Sequence, residues 1–124
     1  INKYNIKNVF LLGYKNNPFK YLSNSDLYVS SSLWEDPGHS LIESAFLRVP
    51  ILTSDCPAAP KEIFVNNINC LQYKTGNIES LKLAMIKFFS GNNENQIRKN
   101  KISARELALK FTKKEFKKNI FNYI

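Results

Sequence analysis

Short apolar runs alternate along the chain with stretches in which apolar residues recur every three or four positions. NVFLLG at 8–13 is a continuous apolar run closed by glycine, and it predicts a buried strand of the parallel-sheet type. Asn17 can cap and Pro18 suits a first helical position, so a short helix is expected over 18–23. DLYVSSS at 26–32 reads as a second strand. Ser40 with Glu43 three residues on has the capping-box pattern and predicts a helix over 40–48. VPILTSD at 49–55 is a third strand with Pro50 at its entry, CPAAPKEIFVNN a loop leading into a short helix, and NCLQY at 69–73 a fourth strand. Asn77 can cap a helix over 78–89 that aligns Ile78, Leu81, Met85 and Phe88, with Gly91 to stop it. After the polar GNNENQ, a helix over 94–111 carries Ala104, Leu107, Ala108 and Phe111 as its stripe. Thr112 and Glu115 form another capping pattern, ahead of a last helix with Phe116, Ile120 and Ile124.

The alternation of strands and helices predicts an α/β fold, a Rossmann-like parallel sheet with helices on both faces. Residues 1–90 form its core, and residues 91–124 are basic helices packed on the same domain. Four strands are fewer than the five or six of a doubly wound domain. With a strand opening a few residues after Ile1, this predicts a chain truncated at its N-terminus.

Composition narrows the class. The 124 residues are 44% hydrophobic and 13% aromatic, enough for a core. No apolar run approaches the roughly 20 residues of a membrane span, and the start has no signal-peptide pattern. Cys56 and Cys70 lie in no CxxC, and His39 is the one histidine, which leaves no Cys/His metal set. They read as reduced, partly buried thiols of a cytosolic protein, with a disulfide between them left open. The net charge of +8 is uneven. Residues 1–90 hold nine Lys/Arg and seven Asp/Glu; residues 91–124 hold nine and three. A basic tail of this kind is a solvated helical face or a docking surface for an anionic membrane; nucleic acid is disfavoured, because its aromatics fall at core spacing rather than between the basic residues.

The chemistry gathers at one strand-to-helix junction, SSSLWEDPGHSLIESAF at 30–46. In open α/β sheets ligands bind beyond the carboxyl ends of the strands. Gly38 allows close approach to the backbone, and residues 39–42 offer unpaired amides at the positive end of a helix. That arrangement attracts phosphate. The carboxylates Glu35 and Glu43 would repel phosphate and suit hydroxyl donors instead. Phosphate on amides and hydroxyls on carboxylates together describe a nucleotide sugar. Glu43 is equally suited to closing the capping box with Ser40, and Asp36 reads as a solvated loop charge. His39 has no second histidine or evident partner to orient it as a general base.

EDPGHSLIE, Glu35-x7-Glu43, resembles the E-x7-E motif of retaining glycosyltransferases of the GT-B fold, the group 1 family, usually E-G-F-G-x-x-x-x-E. VFLLGY resembles that family's V-x-F-x-G strand, and YLSNSDLYVSSS its Y-x-x-A-D-x-x-V-x-P-S segment. RVPILTSDCPAAPKEIF resembles its G-x-P-V-V-A-x-x-x-G-G-x-P-E-I segment. The match covers about residues 8–90 in order and spacing. The resemblance implies the C-terminal, nucleotide-sugar-binding half of a two-domain enzyme. It implies Glu43 on the ribose hydroxyls and Glu35, the catalytic candidate, facing the donor sugar. The amides of Gly38, His39 and Ser40 would hold the diphosphate, and Leu41 and Ile42 would line the nucleoside pocket. It also implies retention at the anomeric carbon, no bound metal, a saccharide or lipid-linked acceptor, and a UDP-sugar as the favoured donor.

The sequence departs from the pattern. Asp36-Pro37 stands for Gly-Phe, and Ala58-Ala59 for Gly-Gly. The family's Arg and Lys on the diphosphate lie upstream of this chain, as does the N-terminal acceptor domain, so the chain alone is expected to be an incomplete donor site. The alternatives are a nucleotide-binding module without transfer activity and a basic, membrane- or nucleic-acid-binding α/β domain. The parent is expected in the bacterial cytoplasm, building a surface polysaccharide or glycolipid, at the inner face of the membrane.

Overall fold

The computed structural model describes residues 6–36, 38–58 and 62–115. Its elements are α1 (Phe19–Leu22), β1 (Tyr28–Ser30), α2 (His39–Phe46), β2 (Ile51–Ser54), β3 (Leu71–Tyr73), α3 (Ile78–Phe89) and α4 (Glu94–Leu109). The three strands form one parallel sheet in the order β1-β2-β3. Tyr28 pairs with Ile51, and Leu52 with Leu71, so β2 is central.

Alternation along the strands divides the core in two. Ile51 and Cys70 face one side, where Leu41 and Ala45 of α2, Phe64, and Ala104 and Ala108 of α4 close the cluster. Leu52, Leu71 and Tyr73 face the other side, against Leu81, Ala84, Met85 and Phe88 of α3. Helices therefore cover both faces. Every residue of β2 is buried, which is why ILTS needs no polar alternation.

α3 spans the residues its pattern predicts. Asn77 is its cap, with Oδ1 accepting from the Ser80 amide at 2.8 Å. α4 is tied to the sheet by a polar contact: buried Asn100 donates to the Cys70 carbonyl at 3.0 Å and accepts from Gln96 at 2.7 Å. Arg105 of α4 donates to the Phe46 carbonyl and lies over the Phe46 ring, 4.8 Å from its centroid.

Several expectations fail. Residues 8–13 form no strand, and Phe10 and Leu11 are 77% and 85% exposed. A strand needs a neighbour for its amides and carbonyls, and no described strand lies beside this run. Among the described residues the sheet accordingly has three strands and not four. α2 starts at His39, not Ser40, because Gly38 takes a left-handed conformation (φ 71°) and turns the chain one residue earlier. Ser40 is then inside the helix and its capping box with Glu43 does not form; its hydroxyl accepts from Tyr28 Oη at 2.8 Å instead. Ile78 is exposed at the start of α3, and Phe111 lies exposed beyond the end of α4. The Glu115 amide donates to Thr112 Oγ1 at 3.4 Å, as the second capping pattern predicts from its threonine side. The helix expected after it opens at 113–115, and the rest of it falls outside the described residues, as does part of the short helix expected in CPAAPKEIFVNN. Cys56 and Cys70 are both free and buried, and burial pushes the Cys70 thiol up to about 12.

Candidate functional site

All three strands run the same way, so their carboxyl ends share one edge. Loops leave that edge after Ser30 and Ser54, and they meet there: Glu35 and Ala58 form a parallel backbone bridge. Ala58 holds a left-handed φ of 72°, at the position where the resemblance has glycine. A non-glycine residue there costs about 1–2 kcal/mol. The bridge brings the glutamate loop and the loop after β2 side by side.

A run of serines fixes the first loop. Ser54 Oγ donates to the Ser32 carbonyl at 2.6 Å, which ties the end of β2 to the residues after β1. Ser32 Oγ donates to Glu35 Oε2 at 2.6 Å. Tyr73 Oη reaches across the sheet to the Ser30 carbonyl at 3.1 Å. Glu35 is thus half-buried and held by a hydroxyl that is itself anchored to the sheet. Asp36, Leu33 and Trp34 are exposed.

Gly38 is buried and opens α2. The amides of Leu41 and Ile42 both donate to the Gly38 carbonyl, at 3.0 and 3.2 Å. The amides of His39 and Ser40 come earlier than any carbonyl inside the helix that could accept from them. No side chain caps this end, and the helix dipole makes it electropositive. His39 is exposed. Leu41 points into the core, with no exposed surface, whereas Ile42 is half-buried. Glu43 is half-buried one turn into the helix and makes no hydrogen bond or ion pair among the described residues. An apolar groove of about 390 Å³ lies beside it, walled by Phe19, Ile42, Phe46 and Phe111.

Of the residues read from the sequence, Glu35, Gly38, His39, Ser40 and Glu43 lie on this loop and the first turns of α2. Leu41 contributes its side chain to the core. The sequence reading missed Ser32 and Tyr28. The signal for Ser32 was the triple serine closing a strand, a composition that strand propensity alone does not explain; Tyr28 gave no signal beyond that propensity. The described residues contain no group of three or more His, Cys, Asp or Glu that could hold a metal. None of their helices is long and apolar enough to cross a membrane.

Comparison with known proteins supplies the family. The family model for glycosyl transferases group 1 matches residues 1–105. The chain is 44% identical over 70 residues to an uncharacterized glycosyltransferase of Methanocaldococcus jannaschii, covering 56% of this chain and 17% of that protein. It is 25% identical over 116 residues to N-acetylgalactosamine-N,N'-diacetylbacillosaminyl-diphospho-undecaprenol 4-alpha-N-acetylgalactosaminyltransferase of Campylobacter jejuni, covering 94% and 31% of the two chains. A glycosyltransferase from Rickettsia africae has a similar solved fold, with TM-score 0.74 and 20% identity over 88% of this chain and 29% of that one. The chain therefore spans less than a third of the length of each of these proteins.

Proposed function

The chain belongs to the glycosyl transferases group 1 family, and from that premise we propose that it is the donor-binding part, from the C-terminal half, of a retaining glycosyltransferase of the GT-B fold. The observation that carries the reading is Glu43. It is a half-buried carboxylate with no partner among the described residues, one turn inside a helix whose opening amides are uncapped. A carboxylate left without a donor in a partly buried position suits a ligand that brings hydroxyls.

In this reading Glu43 accepts from the ribose hydroxyls of the donor. The amides of Gly38, His39 and Ser40 receive the diphosphate, and their field stabilises the charge that grows on it as the bond to the anomeric carbon breaks. No metal is needed for that role. Glu35, fixed by Ser32, faces the sugar ring. Ile42 lines the nucleoside pocket, and Leu41 supports it from the core. The favoured donor is a UDP-sugar and the acceptor a saccharide or lipid-linked glycan, with an N-terminal domain completing the cleft. The Campylobacter relative, whose name specifies a diphospho-undecaprenol substrate, supports a lipid-linked acceptor. Work on such an acceptor fits a cytoplasmic enzyme at the inner face of the membrane.

Calorimetric titration of the chain with UDP, GDP and ADP, and with the sugar-bearing form of the nucleotide that binds, tests this. Glu43→Ala should weaken nucleotide and nucleotide sugar alike by about tenfold, the loss expected for a hydrogen bond to a charged group. Glu35→Ala should weaken the nucleotide sugar alone. Binding indifferent to Glu43, or no binding at millimolar nucleotide even when the chain is extended upstream through the N-terminal domain, would sink the assignment of residues.

A further inference from the structure

A second feature lies at the opposite edge of the sheet. α2 starts at the carboxyl edge with Gly38 and ends just before β2 begins, so Arg48 sits at the amino edge. There it lines an open groove of about 810 Å³ with Arg98, Lys101 and Ile102 of α4, Asn95 and the single carboxylate Glu94. Among the described residues, none of the three cations forms an ion pair.

Arg48 is there against backbone preference. Its φ is 61°, in the left-handed region, where arginine is rare and glycine is at ease. The segment RVPILTS has arginine where the pattern it resembles has glycine. The chain thus carries a cation at a position that disfavours any side chain. A strained residue is a reason to look for a function. Ile102, beside these cations, is 53% exposed. Cations around an exposed aliphatic side chain, on a broad open surface, match a bilayer interface, where charge attracts headgroups and a short apolar group enters among them.

We propose that the groove formed by Arg48, Arg98 and Lys101 docks the protein on anionic lipid headgroups. The surface is separate from the donor edge and does not rest on the donor reading. Glu43→Ala should leave it untouched.

The test is co-sedimentation of the 124-residue chain with vesicles of phosphatidylcholine, with and without about one-third phosphatidylglycerol. Each cation near an anionic surface contributes a factor of about five in partitioning. Arg48→Gly should therefore lower partitioning about fivefold while raising the melting temperature, because glycine accepts the backbone that arginine strains; loss of binding then cannot come from unfolding. Adding Arg98→Gln and Lys101→Gln should bring the loss to about a hundredfold. Lys87→Gln, Lys99→Gln and Lys110→Gln together remove the same charge outside the groove and should cost less than fivefold. Equal losses in the two triple variants would overturn the proposal. So would no preference for the anionic vesicles, or tighter binding of a short single-stranded RNA with the same dependence on the groove.

Discussion

Two apolar runs, VFLLG at 9–13 and ILTS at 51–54, look alike on paper and differ completely in the fold. The second is the central strand, paired on both edges and covered on both faces, with all four residues buried. The first has no strand beside it among the described residues and leaves Val9, Phe10, Leu11 and Leu12 exposed. The contrast teaches that a buried-strand pattern describes an environment as much as a conformation. Burial of backbone requires partners for its amides and carbonyls, and β2 has them in β1 and β3.

The sharpest way to break this comparison is to truncate both runs equally. Leu52→Ala should cost about 2–5 kcal/mol, the range for a fully buried leucine, whereas Leu11→Ala should change stability by less than about 0.5 kcal/mol. Urea unfolding measures both, and a comparable loss at Leu11 would mean that the run is packed in solution.

Next in size is a pH effect at the strand beside β2. Burial holds the Cys70 thiol protonated up to about 12, against an ordinary value of 9.0. Above pH 9 the unfolded chain loses that proton and the folded chain keeps it, so stability falls with rising pH until about 12. The slope approaches about 1.4 kcal/mol per pH unit. In Cys70→Ala this part of the slope should vanish.

Asn100→Ala should cost about 1–3 kcal/mol, because it removes two hydrogen bonds, one to the Cys70 carbonyl, which keeps the Asn67 amide, and one from Gln96. Gly38→Ala should cost about 1–2 kcal/mol through the left-handed φ at the head of α2. The smallest expected effect is at Glu43: the alanine variant should keep its stability within about 0.5 kcal/mol, since the carboxylate has no partner among the described residues to lose. Thermal melts rank the three.

What could be read from sequence was what local chemistry decides. Asn77 and Ser80 make the cap of α3 within four residues, and the predicted span is the observed one. From Tyr28 onward the order of strands, the helix between the first two, and the two long helices after the sheet followed from alternation. What could not be read depends on contacts distant in sequence. Ser32 meets Glu35 only because Ser54, 22 residues on, ties its carbonyl to the sheet. The bridge from Glu35 to Ala58 is equally invisible along the chain. Ser40 was misread as a cap because the pattern does not record the left-handed turn at Gly38, and that turn is what frees Glu43 from the capping box.

The measurement that bears most directly on the central claim is an NMR titration of the chain with UDP, following backbone amides. Shifts are expected at residues 38–43, with smaller ones at Ser32 and Ala58 next to Glu35, and their loss in Glu43→Ala. Shifts confined to Arg48 and residues 94–102 would contradict it, because the phosphate would then be held by the basic groove and not by the head of α2.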